Sequence, residues 1–222
     1  MPQNVRILKL NTGRPTLETE RERSDVRIYI YQGLYCPVLK VLSYSQFTAV
    51  DSVGLKKTIR SRSFKGYLKE EEHKARTAKK DEIIYDVFPI KPPADMGDLA
   101  SGTSILYPGK IGEEYYFTKG HFHNILMTAE VYFGMAGEGL MLLENKEGDW
   151  DTLPITPGAT VYVPKGYAHR TVNTGSVPLV TYFCFRSDAG QDYGSIEEKG
   201  YRKLIVERDG KPVFIDNPKW GK

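Results

Sequence analysis

From residue 81 onward, the sequence consists of short apolar or aromatic runs that are separated by Gly, Pro, Asn and Asp residues. Runs of this length and spacing are typical of the strands of an antiparallel β-sandwich or barrel. No segment with helical periodicity alternates with them, which argues against a parallel α/β fold. We therefore predict a mainly β fold, with strands over residues 83–90, 103–107, 114–118, 130–135, 140–144, 160–163, 169–173 and 179–185.

The first 80 residues follow a different pattern, and we predict that they form a β and helical extension packed on a barrel of residues 81–222. Residues 26–35 and 38–44 are β-prone. Residues 56–80 contain ten Lys or Arg against three Glu, and the interleaved charges favour a solvated face of a short helix. Its apolar stripe would be formed by Phe64, Tyr67 and Leu68. The alternative for this segment is a nucleic-acid-binding surface. Such a surface would need exposed aromatic residues among basic ones over more of the chain, and the sequence does not show this pattern.

The composition is that of a soluble globular protein: of 222 residues, 40% are hydrophobic and 27% are charged. The net charge of +3 is too small to indicate a nucleic-acid or membrane partner. No apolar run approaches the roughly 18 residues of a membrane-spanning helix, and the first residues lack the apolar core of a signal peptide. The two cysteines, Cys36 and Cys184, exclude a disulfide framework. We expect a cytoplasmic protein.

Three of the four histidines lie in the strand-rich part of the chain. On a strand, His121 and His123 would point to the same face. Glu130 begins a later predicted strand and could lie opposite them across a hairpin, and His169 follows a turn that contains Pro and Gly. A single histidine is usually a core or surface side chain, but three imidazoles and a carboxylate suit a divalent first-row metal. The pattern predicts that His121, His123, Glu130 and His169 bind a metal ion.

The spacing of these residues resembles the two metal-binding motifs of the cupin superfamily. The resemblance implies a double-stranded β-helix, or jelly-roll, barrel, and Tyr115 departs from it where a glycine is usual. Cupins include oxidases, dioxygenases, isomerases, storage proteins and regulators, so these motifs do not specify a reaction. The matching positions are His121, His123, Glu130 and Gly137 in the first motif, and Gly158, Pro164, Gly166, His169 and Asn173 in the second.

Longer stretches around these motifs resemble the cupin-type, metal-dependent phosphoglucose isomerases, from about residue 83 to the C-terminus. The resemblance implies interconversion of glucose 6-phosphate and fructose 6-phosphate, in glycolysis and gluconeogenesis, by a homodimer with a divalent metal ion. We expect Fe²⁺ or Mn²⁺, because three His and one Glu would complete a four-coordinate Zn²⁺ shell; Ni²⁺, Co²⁺ and Zn²⁺ stay open. The stretches are 107–112, 118–123, 129–132, 139–143, 161–164, 168–173, 188–194 and 216–220.

The resemblance also implies roles for single residues. A hydrogen must move between C2 and C1 of the open-chain sugar, and we expect Glu130 to abstract it as a proton, through a cis-enediol whose oxygens the metal stabilises. A direct hydride shift stays open. Tyr132 shares a strand face with Glu130 and could orient it, or be a core tyrosine; Thr118 could likewise be a simple strand former. The residues expected to bind the substrate, mostly at its phosphate, are Tyr85, Ser104, Thr118, Gly120 and Tyr193.

Two positions depart from the family pattern and bear on sugar preference: Gln191 stands where members often have His, and Phe185 where Tyr is expected. The same metal ligands would also suit an iron-dependent dioxygenase or oxidase on the same barrel. An isomerase of another sugar is a further alternative. A non-catalytic sugar-binding cupin would typically lack one or more ligands, and all four are present here.

Overall fold

The computed structural model describes residues 5–9, 15–19, 57–64, 81–90 and 97–220. Strands dominate these ranges, so the predicted mainly β fold is confirmed. Besides the strands, the structure has a 3₁₀ turn over Ser61–Phe64 and a short helix, α1, over Gly194–Lys199. The strands are β1 (Val5–Lys9), β2 (Pro15–Thr19), β3 (Lys57–Arg60), β4 (Ile83–Ile90), β5 (Leu99–Leu106), β6 (Lys110–Ile111), β7 (Glu114–Tyr115), β8 (Glu130–Ala136), β9 (Gly139–Glu144), β10 (Trp150–Ile155), β11 (Thr160–Val163), β12 (Ala168–Val172), β13 (Leu179–Arg186), β14 (Lys203–Arg208) and β15 (Lys211–Asp216).

Two antiparallel sheets build the barrel. The larger sheet has the strand order β11-β8-β13-β5-β4-β3, and the smaller has the order β10-β9-β12. From β8 to β13 the chain crosses between these sheets repeatedly: β8 and β11 belong to the larger, β9, β10 and β12 to the smaller, and β13 returns to the larger. This winding is that of a jelly-roll barrel, and it confirms the predicted cupin fold. Strands β15-β14-β7-β6 form a separate small sheet, and β1 pairs with β2.

Alternation along the strands decides which side chains enter the barrel. In β11, Val161 and Val163 are buried while Thr160 and Tyr162 are exposed. Buried side chains from both sheets join into one apolar cluster, which includes Met141 and Leu143 of β9. Packing of this kind holds the sheets at a fixed separation, so the polar side chains between them have fixed positions. Among the described residues, no helix is long and apolar enough to cross a membrane.

Strands β6 and β10, the hairpin of β14 and β15, and the helix were not predicted from the sequence. Strand β10 is an edge strand that contains Pro154, a residue that edge strands tolerate but that breaks a strand pattern in the sequence. The β14–β15 hairpin turns at Asp209 and Gly210, which both have positive φ. An Asp-Gly pair is a strong hairpin signal, so the sequence carried this information. The predicted strand at 83–90 coincides with β4.

The basic segment that begins at residue 56 differs from its predicted helical form. Lys57–Arg60 is strand β3, which pairs with β4 at the edge of the larger sheet. Phe64 is completely buried in the main core, where it meets Phe117, because the 3₁₀ turn directs it inward. Residues 26–35, 38–44 and 65–80 lie outside the described residues. The division into residues 1–80 and 81–222 stays a prediction, and β3 crosses it by joining the larger sheet.

Candidate metal centre

The four predicted metal ligands lie together inside the barrel, and all four are buried. Their ligand atoms all lie within 4.8 Å of one another. The Oε2 atom of Glu130 is 3.1 Å from Nε2 of His123 and 3.0 Å from Nε2 of His169. A cluster of three imidazoles and one carboxylate at these distances could bind a metal ion.

Strand pairing explains why these side chains converge. Glu130 is the first residue of β8 and lies opposite Val163 of β11. His169 belongs to β12, and its backbone N–H donates to the carbonyl oxygen of His121 at 3.2 Å. Phe122, between the two histidines of the His-x-His motif, is buried in the core cluster. Because neighbouring residues alternate in an extended chain, His121 and His123 both point toward Glu130.

Thr128 fixes the tautomer of His123. The Thr128 hydroxyl donates to the carbonyl oxygen of Ile125 at 2.7 Å, so toward the Nδ1 atom of His123, 2.7 Å away, it acts as an acceptor. Nδ1 therefore carries the proton, and Nε2 presents a lone pair to Glu130. Two lone pairs only 3.1 Å apart repel each other unless a cation or a proton lies between them. Sequence reasoning missed Thr128, although its position in the turn between the two predicted ligands was a usable signal.

The other two imidazoles also fit a metal. Within the described part of the chain, no hydrogen-bond partner is found for Nε2 of His121 or for either ring nitrogen of His169, although buried polar atoms normally have one. Burial, together with the neighbouring His169, lowers the pKa of His121 well below its ordinary value, which favours the neutral form that binds metals. Burial raises the pKa of Glu130, but the neighbouring imidazoles, His169 first among them, together lower it by more, so Glu130 is a carboxylate.

A cavity of about 760 Å³ opens beside the metal cluster. Its size falls within the range of roughly 300–1,000 Å³ that small-molecule sites occupy. His121, Glu130 and His169 line it, whereas His123 is not part of its lining. All the residues predicted to contact the substrate also line this cavity: Tyr85, Ser104, Thr118, Gly120, Tyr132 and Tyr193.

The predicted phosphate-binding residues are held by other polar groups. Ser104 shares a hydrogen bond of 2.8 Å with Thr181, and the backbone N–H of Lys119 donates to the hydroxyl of Tyr85 at 3.5 Å. Gly120 has φ of +72°, and a Cβ atom there would lie 2.9 Å from the carbonyl oxygen of His169. Only glycine fits this backbone, which brings the chain close to the cavity just before the first histidine.

Aromatic side chains form the wall nearest the metal cluster. Burial and the charge of Glu130 raise the pKa of Tyr132 well above its ordinary value, so Tyr132 is a neutral hydroxyl beside the carboxylate. The Tyr193 hydroxyl donates to Oε1 of Gln191 at 3.1 Å. The Phe185 ring stacks on His123 with 5.9 Å between ring centroids. Both positions that depart from the family pattern, Gln191 and Phe185, therefore line the cavity.

Three cations of the cavity lining were missed by sequence reasoning: Lys57, Arg60 and Lys119. Arg60 donates to the carbonyl oxygen of Asp81 at 2.9 Å, and the Lys119 ammonium lies 5.8 Å from the centroid of the Phe64 ring. Lys57 and Arg60 belong to the segment interpreted as a solvated helix, so the pairing of β3 with β4 had to be known before they could be placed. Lys119 stands between two predicted site residues, which was a usable signal.

Comparison with known proteins identifies relatives along most of the chain. The glucose-6-phosphate isomerase (GPI) family model matches residues 58–219. The glucose-6-phosphate isomerase of Thermococcus kodakarensis is 47% identical over 168 residues, covering 75% of this chain and 89% of that protein. The enzyme of the same name from Pyrococcus horikoshii is 45% identical over 169 residues, with the same coverage of 75% and 89%. The putative glucose-6-phosphate isomerase 1 of Rhizobium meliloti is 40% identical and covers 63% of this chain and 66% of that protein.

Solved structures that resemble this chain are more distant. An oxalate oxidase is 16% identical, with a TM-score of 0.43 over 53% of this chain and 58% of that one. A mutant of Bacillus subtilis oxalate decarboxylase is 22% identical, with a TM-score of 0.40 over 49% of this chain and 27% of that one. The family assignment therefore rests on the sequence matches, which bear out the resemblance seen in the motifs. The chain belongs to the glucose-6-phosphate isomerase family.

Proposed function

We propose that this protein interconverts glucose 6-phosphate and fructose 6-phosphate with one divalent metal ion per chain. The observation that carries this proposal is a buried cluster of three histidines and one glutamate that opens into a cavity lined by hydroxyls and cations. An aldose–ketose isomerase needs a polarising centre, a base and a place for the phosphate within one cavity. Relatives named glucose-6-phosphate isomerase, which match this chain along most of their length, support the same activity.

His121, His123, Glu130 and His169 would hold the metal ion. When bound, a divalent metal supplies a Lewis acid that stabilises negative charge developing on the oxygens of the substrate. We propose iron or manganese, because both accept imidazole and carboxylate ligands while leaving positions for a substrate. Nickel, cobalt and zinc are the alternatives.

Glu130 is the proposed base. Its lowered pKa keeps it deprotonated and able to accept the proton from C2 of the open-chain sugar at a carboxylate oxygen. Returning that proton to C1, while the proton of the O2 hydroxyl passes to O1, completes the isomerisation through a cis-enediol. Tyr132, whose neutral hydroxyl is close enough to Glu130 for the carboxylate to raise its pKa, would orient that carboxylate. The same lowered pKa makes Glu130 a weak base, and this observation favours the alternative, a hydride shift from C2 to C1 in which Glu130 acts only as a ligand.

The phosphate would lie against Tyr85, Ser104, Thr118 and the backbone of Gly120, which offer uncharged hydrogen-bond donors. A phosphate dianion in a partly buried cavity with Glu130 also needs positive charge nearby. Lys119 stands between Thr118 and Gly120 in the chain and lines the same cavity, as does Arg60. These cations would distinguish phosphorylated sugars from neutral ones, while Tyr193 would contact the sugar beside His121.

We further propose a cytoplasmic homodimer that acts in glycolysis and gluconeogenesis. An apolar patch on the outer face of the larger sheet supports self-association. Val131 faces Tyr162 across the β8–β11 pair, Tyr182 lies on the neighbouring strand β13, and all three side chains are exposed. Replacing Tyr162 with Lys should shift the mass measured by light scattering from two chains to one. A single-chain mass for the unmodified protein would remove the homodimer proposal.

The activity is tested by comparing isomerisation with oxygen consumption. The protein as purified should convert fructose 6-phosphate to glucose 6-phosphate at the same rate with and without oxygen, and it should leave unphosphorylated fructose unchanged. Oxygen uptake coupled to substrate loss would favour the dioxygenase or oxidase alternative. Conversion of fructose but not of fructose 6-phosphate would favour an isomerase of another sugar.

A further inference from the structure

Thr171 lines the cavity two residues after the metal-ligand candidate His169, on the same face of β12. It is buried, and its hydroxyl donates to Oγ1 of Thr118 at 3.3 Å. The backbone N–H of Thr171 donates to the same oxygen at 3.0 Å. In return, the backbone N–H of Thr118 donates to the carbonyl oxygen of Thr171 at 2.9 Å. Three hydrogen bonds therefore join these two residues.

These contacts decide what Thr118 can offer to a ligand. A threonine hydroxyl has one proton to donate and two lone pairs that accept. Both lone pairs of Thr118 are occupied by the two donors from Thr171. Its proton is the remaining hydrogen-bonding capacity, and Thr118 lines the cavity. A ligand group that accepts hydrogen bonds is therefore satisfied at Thr118, whereas a group that must donate finds no acceptor there.

We propose that Thr171 is a positioning residue that fixes the Thr118 hydroxyl as a donor and so selects a phosphoryl oxygen at this point of the cavity. The proposal rests on the proposed function, in which Thr118 contacts the substrate phosphate. A phosphate dianion presents acceptors alone, whereas a sugar hydroxyl both donates and accepts. In the hydrogen-bonded pair of Ser104, which lines the cavity, and Thr181, either oxygen can be the donor. At Thr118, by contrast, the two donors from Thr171 leave the hydroxyl able only to donate to a further partner.

The test uses binding of inorganic phosphate to the metal-loaded protein, measured by titration calorimetry, which does not depend on turnover. Thr171→Val removes the hydroxyl donor and keeps the shape of the side chain. It should weaken phosphate binding roughly threefold to tenfold, the range for one hydrogen bond, and Thr171→Ser should restore it. The KM for fructose 6-phosphate should rise by a similar factor while kcat stays within about twofold, because a remote contact acts alike in the ground and transition states.

Thr103→Val is the matched control. Thr103 is an equally buried strand threonine that is not part of the cavity lining, so its replacement should leave phosphate binding unchanged. Any phosphate bound at the metal adds equally to every variant, so it reduces the difference between Thr171→Val and Thr103→Val but does not create one. A Thr171→Val protein that binds phosphate as tightly as the Thr103→Val protein overturns the inference.

Two further outcomes are informative. If Thr171→Val does not fold, Thr171→Cys replaces it, since a thiol is a weak donor; equal phosphate affinity of the Cys and Ser variants would overturn the inference. The Thr171→Val protein can bind phosphate more weakly, as expected, while the unmodified protein does not isomerise fructose 6-phosphate. In that case the positioning role of Thr171 stands and the proposed function fails. The two claims can thus fail separately.

Discussion

The metal cluster and the hydroxyl wall of the cavity, which consists of Tyr85, Ser104, Thr118 and Thr171, are built in different ways. The metal ligands come from two short sequence motifs, and their side chains are almost completely enclosed. The hydroxyl wall takes its members from β4, β5, β12 and the segment before His121, which strand pairing brings together. One part of the cavity is therefore specified mainly by the spacing within two motifs, and the other by long-range register alone.

This difference predicts different responses to substitution. The four candidate ligands would share one ion, so the loss of one of them should affect the chemistry as a whole. The wall divides its contacts among several hydroxyls, so a single loss should weaken substrate binding and spare the chemical step.

Glu130→Gln should reduce kcat by about 100-fold or more at saturating metal, the usual effect of losing a general base. Gln keeps the size and one carbonyl oxygen but does not accept a proton near neutral pH. Steady-state rates with added metal measure the effect, and Glu138→Gln, at an exposed position after β8, is the control. Retention of most of kcat, with the C2 hydrogen transferred without exchange with solvent deuterium, would show that Glu130 is only a ligand and that the hydride route operates.

His169→Ala should lower metal affinity by at least the ~10–100-fold that loss of an outer partner typically costs, while the barrel still folds. The packed sheets and their ladders hold the fold, and the imidazole adds little to them. Elemental analysis after dialysis, together with circular dichroism, separates the two effects. Full metal content in a folded His169→Ala protein would remove His169 from the ligand set.

Thr128→Val should lower metal affinity by about tenfold, at the lower end of the range for residues that orient a ligand. The variant loses the nearer acceptor of the Nδ1 proton of His123, the Thr128 hydroxyl at 2.7 Å, and keeps the Thr128 carbonyl oxygen at 3.2 Å. Thr128→Ser keeps the hydroxyl and should bind metal normally. Equal metal affinity of the Val and Ser variants would show that the tautomer of His123 is fixed in another way.

Ser104→Ala and Thr118→Val should each raise the KM for fructose 6-phosphate by roughly twofold to tenfold, the cost of one hydrogen bond. Their kcat values should change little, because phosphate contacts far from C1 and C2 are alike in the ground and transition states. Initial-rate kinetics at saturating metal measure both constants. If kcat falls and KM does not change, the hydroxyl wall takes part in the chemical step, and the contrast with the metal cluster is lost.

The sequence predicted the metal cluster better than the wall around it, and the reason is physical. The spacing from His121 to Glu130 is local, so strand alternation and one hairpin are enough to bring these residues together. Lys57 reaches the cavity only through pairing between distant strands. Lys57 also lay in a charge pattern that suits a solvated helix equally well. Tyr85 and Ser104 were predicted by family resemblance rather than by any local pattern.

For the fold as well, most elements with a strong local signal were predicted and most elements without one were missed. Strands with a clear apolar run, such as β4 and β11, were predicted at their observed positions. Strand β10 was missed because an edge strand with a solvated face needs neither continuous apolar residues nor the absence of proline. The short helix α1 was missed because its six residues bury one side chain, Ile196, which is too few for a helical period to be recognised in the sequence.

The central claim, that the buried cluster makes this protein a metal-dependent isomerase, is tested most directly with metal-stripped protein. The protein is freed of metal by a strong chelator, checked by elemental analysis, and then loaded with Fe²⁺, Mn²⁺, Ni²⁺, Co²⁺ or Zn²⁺ in separate samples. We predict no conversion of fructose 6-phosphate by the stripped protein and recovery with about one metal ion per chain, highest with iron or manganese. Full activity of protein shown to be free of metal would contradict the account.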